Sequence, residues 1–561
     1  MQVNQFFKVA TTLVASAVLA ACSSQPVALD PVIGDTGQAL SAIALKSDVK
    51  HYDLVLEVFP DNQRIEGVAT TEFKVLEATQ FVELKLDSRF TINDVSSKGE
   101  ALKYERDGGV IRVDLGEQQA KDSMVSIAIA YQGFPHIAKN APWDGGFVFS
   151  KTEEGEPWIA TAVQGEGCDL FWPCKDHFAD KADSMRIRLT VPEGLSAVTN
   201  GVLQEVKPVD GNKQQFDWLL SVPASDYNIA VNIGPYTRIQ TDYTSVNGAT
   251  VPIEFWSLKK NEQKARELIE NDLRQQVMFF EKMLGPYPWG GEKLGFVETP
   301  HLGMEHQTIN AYGKKYKRDP NGYDWLLQHE LAHEWFGNLM THEKLNDAWL
   351  HEGFGFYMQP SYSLYKFGDA AYNHSMYKSY LGLKNCKAIV LDGQVTSDQA
   401  FNSDIYGKGG WTLHTLRWLV GEDIFWQATR ELLYGVNDTK QLAYPISPRY
   451  RNTNEFISIV NRLTGKDYQW FFNMYLKQAE LPKLDVVQSA NRLTLKWNKN
   501  SLQGKPFPMP VPVQINGSLQ TYSVESGEIS IALKAGDHVV VDPNMKVFRY
   551  LPIIDKCKTE Q

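Results

Sequence analysis

The chain has 561 residues, 43% of them hydrophobic and 12% aromatic, which is enough apolar material for sizeable cores and more aromatic character than a disordered chain carries. Roughly two to four domains follow from that length. The formal charge of -11 argues against nucleic acid as a partner, and no repeats or low-complexity blocks are present.

At the N-terminus, Val9 to Ala21 is a short apolar stretch preceded by Lys8 and ending Leu19-Ala20-Ala21-Cys22. Its thirteen apolar or small residues are too few for a spanning helix, which needs about 20, so residues 1–21 are expected to be a cleavable secretory signal. The last four residues resemble the lipobox of bacterial lipoproteins. That resemblance implies a mature chain beginning at an acylated Cys22, its lipid anchor to the membrane. Ser23 beside it, in place of Asp, implies an outer-membrane lipoprotein facing the periplasm. Residues 22–45, with Pro26, Pro31 and Gly34 and little periodicity, are expected to form a tether.

Residues 46–240 read as an all-β domain: short strands such as Tyr52–Val58 and Arg186–Val191 are broken by Pro, Gly and Asn-Gly turns. Of the cysteines after Cys22, Cys168 and Cys174 are placed to bridge a small loop after a Gln164-Gly165-Glu166 strand; Cys386 and Cys557 complete the set, too few for a disulfide scaffold. Residues 241–480 are mainly helical. A stripe of Leu268, Ile269, Leu273, Val277, Phe280 and Leu284 follows Asn261 as the expected N-cap, and Gly285-Pro286 stops it. Strands return in 481–561, where Asn516-Gly517 joins Val511–Ile515 to Ser518–Tyr522 as a hairpin.

The strongest chemical signal is His329-Glu330-Leu331-Ala332-His333, followed after eighteen residues by Glu352. On a helix, residues four apart share a face, so His329 and His333 aim two imidazoles at one ion while Glu330 projects beside it. Helical spacing is expected from Gln328 to Met340, and a second helix carrying Glu352 is expected to start at Asn346 as N-cap. Two histidines and one glutamate make a three-ligand zinc site with one position open for water, and Glu330 is the candidate base. His342 is off the ligand spacing and is expected at a surface or in a loop.

His329 to Asn338 and Asp347 to Phe354 resemble the gluzincin aminopeptidases, the family of aminopeptidase N and the leukotriene hydrolases. Leu302-Gly303-Met304-Glu305-His306 is similar to that family's exopeptidase motif, with His306 where Asn is usual, and His351 is a second departure. The resemblance implies that Gly303, Met304 and Glu305, with Gln164 and Glu166, bind the free amino terminus of a peptide. It also implies that Tyr406 donates a hydrogen bond to the oxyanion. The implied fold is multidomain α+β: an N-terminal all-β saddle-like domain, a thermolysin-like mostly helical catalytic domain and a small C-terminal β-sandwich. The large helical C-terminal domain of longer members is expected to be missing. The expected activity is zinc-dependent aminopeptidase, with one Zn2+ per chain and peptides as substrates. A different hydrolysis on the same scaffold, such as that of epoxides, and a non-catalytic peptide-binding role remain open from these residues.

Overall fold

A computed structural model describes residues 35–317, 319–498 and 505–553. The apolar leader and Cys22 lie outside the described residues, and among the described residues no helix is long and apolar enough to cross a membrane.

The N-terminal region is built around the strand Ser47–Phe59, which pairs antiparallel with Arg64–Val75 and parallel with Ser184–Pro192 inside an eight-stranded sheet. Successive side chains of a strand point to opposite faces. Tyr52, Leu54, Leu56 and Val58 are accordingly buried while their neighbours are half-exposed. A three-stranded sheet and a four-stranded sheet complete this all-β part. In the four-stranded sheet, Pro157–Ala162 pairs with Gly146–Lys151 and delivers the chain to Gln164–Glu166, which is a turn after the strand and not a strand itself. Cys168 and Cys174 are joined by a disulfide directly after that turn.

The segment expected to be a free tether is folded where it is described. Thr36 and Ala44 are buried, and residues 44–46 form a 3-10 turn leading into the first strand.

The mainly helical region opens with a five-stranded sheet in which Leu294–Glu298 and Asn310–Tyr312 run parallel, and the short edge strand Gly303–Met304 pairs antiparallel with Asn310–Tyr312. The long apolar stripe forms as two helices, Glu262–Leu268 and Arg274–Met283, joined by a π-helical turn. Asn261 precedes it without a side-chain cap; its amide donates to Glu298 Oε1 at 2.7 Å instead. The C-terminal part consists of two three-stranded sheets whose facing residues Leu493, Leu495, Trp497, Val511 and Val513 are buried. The hairpin joins Ile515 to Ser518 through Asn516 (φ 50°) and Gly517 (φ 85°), the two left-handed residues that a two-residue turn of type I′ demands.

His414 welds the C-terminal part to the helix Asp404–Val420. Its Nε2 is 2.9 Å from the Met545 carbonyl and its Nδ1 is 2.5 Å from the Tyr372 hydroxyl, one donor and one acceptor, as a neutral imidazole requires. Burial pushes its pKa down from 6.5 to about 3. Between those values the unfolded chain holds a proton that the folded chain does not, so stability falls as pH drops through the window, by up to about 1.4 kcal/mol per pH unit. Urea midpoints measured from pH 7 to 4.5 are expected to fall, with a flatter slope in His414→Gln. An unchanged slope in the variant would show that His414 titrates in the folded chain.

Candidate active site

Three helices converge on one point. Trp325–His333 carries His329, Glu330 and His333; Trp349–Phe367 carries Glu352; Asp404–Val420 carries Tyr406. The first helix is shorter at its C-terminal end than the sequence suggests. It is capped at its start by Asp324, whose side chain accepts the Leu327 N–H at 3.0 Å, and it ends at the second histidine. There the chain turns back, and the Phe336 carbonyl meets His333 Nδ1 at 2.8 Å. That bond places the proton on Nδ1 and leaves Nε2 with a free lone pair.

The second helix starts at Trp349, after a 3-10 turn at Leu345–Asp347, so Asn346 is not its cap. The Asn346 amide instead donates to the carbonyls of Leu391 and Gly393, and Asp347 accepts from the backbone of Thr453 at 2.9 Å. The second and third helices cross in backbone contact. A Cβ on Gly409 would lie 2.8 Å from the Gly353 Cα, and this closeness brings Tyr406 to the glutamate helix.

His329 Nε2, His333 Nε2 and Glu352 Oε2 lie 3.4, 3.4 and 3.6 Å from one another. A point equidistant from three atoms so spaced is about 2.0 Å from each, the length of a zinc bond to nitrogen or carboxylate oxygen. Glu352 Oε2 is buried and takes no hydrogen bond from the protein, an orphan that a cation satisfies. The electrostatics agree. Burial lowers His329 to about 4, the neutral form that ligates. At His333 burial works the same way, but Glu352, Glu305 and Glu330 outweigh it and hold it at about 10, so the cluster demands positive charge here. Burial works to raise Glu352, and His333 and His329 hold it low. The residues therefore fit a single Zn2+. Among the described residues a second grouping, Cys168, Cys174 and Asp226, has its sulfurs bonded to each other.

The triad lies in a cleft of about 780 Å³. Gly303, Met304 and Glu305 line it along the edge strand, and Gly303 is where Glu330 passes closest: a Cβ there would stand 2.4 Å from Glu330 Oε1. Burial raises Glu330 well above its usual value. Glu305 is buried and raised to about 7 by burial, and its Oε1 accepts from Gln164 Nε2 at 2.6 Å and from the Tyr227 hydroxyl at 3.2 Å. Glu166 also lines the cleft; burial raises it, and it accepts the Gly145 N–H. The ring of Tyr406 is 6.3 Å from that of His329, and burial raises its phenol well above the usual value.

Several functional neighbours carry no spacing signal. Tyr227 reaches Glu305 from the β domain, and Asn228 and Asn338 donate to the Glu305 carbonyl at 3.1 and 3.0 Å. Asp324 is not among the sequence expectations, although an acidic residue just before Trp325 is the signal that marks it as a cap. His342 is buried, contrary to expectation: its ring packs 4.3 Å from that of His351, whose Nε2 accepts the His342 N–H at 3.1 Å. His306 is buried with both ring nitrogens unbonded, and burial lowers it to about 3.

Two histidines and a glutamate around one cation position, with a buried carboxylate on each side, define a mononuclear metal centre at the floor of an acid-lined cleft. Residues 48–227 match the Peptidase M1 N-terminal domain and residues 302–475 match the Peptidase family M1 domain. The chain belongs to peptidase family M1. It is 24% identical over 482 residues to Aminopeptidase 2 of Candida albicans, covering 80% of this chain and 49% of that one. It is 23% identical to Tricorn protease-interacting factor F2 of Thermoplasma acidophilum, covering 83% and 59%. The chain thus spans about half the length of the curated relatives it matches. Its fold is similar to that of an M1 zinc metallopeptidase of Deinococcus radiodurans solved as a mutant bound to a Tyr-Ser-Ala substrate, with a TM-score of 0.67 at 20% identity, covering 80% of this chain and 98% of that one.

Glu334, the residue after the second histidine, anchors the site from behind. Its buried carboxylate accepts from Tyr287, Trp289, the Thr308 backbone, Asn310 and Asn338 at 2.9–3.2 Å. Glu334→Ala would remove an acceptor shared by five buried donors, of which the Tyr287 hydroxyl keeps the Lys293 carbonyl at 3.0 Å, and is expected to cost about 3–5 kcal/mol in chemical denaturation. A loss under about 1 kcal/mol would mean that water replaces the carboxylate without strain.

Proposed function

We propose that this chain is a zinc-dependent aminopeptidase that removes the first residue from peptides with a free N-terminus and works at the bacterial cell envelope. The observation that carries the reading is Glu305: a buried carboxylate held by Gln164 and Tyr227 on the wall of the cleft that holds the metal triad. A carboxylate in that setting selects an ammonium by a charge-assisted hydrogen bond and fixes the distance from the chain end to the bond to be cut. Zinc, held by His329, His333 and Glu352, supplies when bound a Lewis acid and a water of lowered pKa.

Glu330 stands beside that position as the base. It takes the proton of the attacking water and passes it to the leaving amine, a transfer suited to a carboxyl raised by burial. Tyr406 keeps its proton, because burial and the neighbouring glutamates oppose ionisation, and donates it as a hydrogen bond to the carbonyl oxygen as charge builds there. Glu166 adds a second carboxylate for the ammonium. Gly303 and Met304 form the edge against which the substrate backbone lies.

The test is hydrolysis of peptides with free and acetylated amino termini, with and without chelator and added zinc. Only free-amine peptides are expected to be cut, and only in the presence of metal. Tyr406→Phe and Glu330→Gln should each lower kcat by about 100-fold or more while the fold persists. Equal cleavage of acetylated peptides would remove the exopeptidase reading.

Envelope attachment is supported by the apolar stretch Val9 to Ala21 and by Leu19-Ala20-Ala21-Cys22. Cys22→Ala is expected to move the protein from the membrane fraction to the soluble fraction and to abolish labelling by a fatty-acid precursor. Persistence of both would overturn the anchor.

A further inference from the structure

The residues ahead of the first strand, Asp35 to Gln38, lie outside both matched family regions, and Asp35 lines the cleft. Thr36 N–H donates to the Gly165 carbonyl at 3.2 Å, and its hydroxyl to Asp176 at 2.8 Å, so one side of the segment holds the Gln164–Glu166 turn. On the other side Asp35 Oδ1 accepts the Ser397 N–H at 2.9 Å. Gln38 donates to the Val395 carbonyl at 3.3 Å and accepts from the Gln394 amide at 2.6 Å. Gln38 also donates to Asp35 Oδ2 at 2.6 Å, which closes the segment on itself. Across this strap the two walls nearly touch: a Cβ on Gly165 would be 3.8 Å from the Ser397 Cβ.

We infer that Asp35–Gln38 is a positioning element of the substrate site: it fixes the spacing between the Gln164–Glu166 turn and the Thr396–Asp398 wall, and through Asp35 forms part of the cleft surface. This deepens the aminopeptidase reading and rests on it. The strap makes no hydrogen bond to the helices that carry His329, Glu330, Glu352 and Tyr406, so its loss acts on substrate binding more than on the chemical step. Its seat is specific. Gly37 has φ +69°, and a Cβ there would fall 1.9 Å from the Phe178 ring, so any side chain lifts the strap off the β domain.

Three variants of the full chain, loaded with zinc, test this on a free-amine tripeptide: Gly37→Ala, Asp35→Ala and Asp35→Asn. The first two are expected to raise KM about ten-fold with kcat within about three-fold of the parent, the signature of lost binding common to ground and transition states. Asp35→Asn keeps an acceptor for the Ser397 N–H and should recover most of the loss. Hydrogen exchange on the same proteins should speed up in both 164–167 and 394–398 in the first two variants. Lowered thermal midpoints with KM and exchange in those segments unchanged would reduce the strap to a structural tie and overturn the inference. If the parent cuts no peptide, the aminopeptidase reading fails and the exchange measurement alone decides whether the strap holds the two walls.

Discussion

The carboxylate of Glu334 is the constraint on which the site depends. It follows His333 directly, and its five hydrogen-bond donors come from the loop that leads into the strand Leu294–Glu298, from the strand Asn310–Tyr312 and its approach, and from the loop beyond the histidine helix. A buried carboxylate is costly unless its oxygens are satisfied. Here satisfying them forces the end of the helix into one orientation, and that orientation aims both imidazoles. The same loop returns the Phe336 carbonyl to His333 Nδ1, so the helix anchor and the tautomer of the ligand are set together.

In front of that anchor the cleft concentrates negative charge. Asp35, Glu166, Glu305, Glu330, Glu352 and Asp398 line it, with no lysine or arginine lining it among the described residues. Carboxylates this close together cannot all ionise without cations between them. A metal at the triad answers that need, and in the proposed reading the ammonium of a substrate at Glu305 answers it a second time. Burial raises Glu330 and Glu305, and the three glutamates together hold His333 up, so the cleft favours positive charge.

The sequence was legible where spacing encodes geometry. The histidine pair, Glu352 and the Asn516-Gly517 hairpin carry their positions in the period of a helix or a turn, and the structure brings the three ligands together. Tyr227, Asn228 and Asn338 were not legible, because each acts across the tertiary fold and no local period marks it. Asn346 and Asn261 show the converse failure. Both have the residue type of a cap, but their amides found stronger calls elsewhere, on the Leu391 and Gly393 carbonyls and on Glu298. A cap signal is a local preference, and tertiary partners outcompete it. His342 looked superficial because it lay off the ligand period, yet a histidine that stays neutral packs in a core as an aromatic does, as its contacts with Phe178 and His351 show.

In the proposed exopeptidase, the link between the metal centre and the amine subsite turns on Asn338. Its amide donates both to the Glu305 carbonyl and to Glu334 Oε2, so the strand that leads to Glu305 and the end of the helix that carries His329 and His333 are tied to the same side chain. An endopeptidase needs only the metal, a base and an open groove. Removing one residue at a time requires the amine subsite and the metal to keep one separation through every turnover, since misplacement by about 1 Å costs about 100-fold in rate. A separation fixed by hydrogen bonds within a buried core, with Gly303 allowing the edge strand to close on Glu330, meets that requirement.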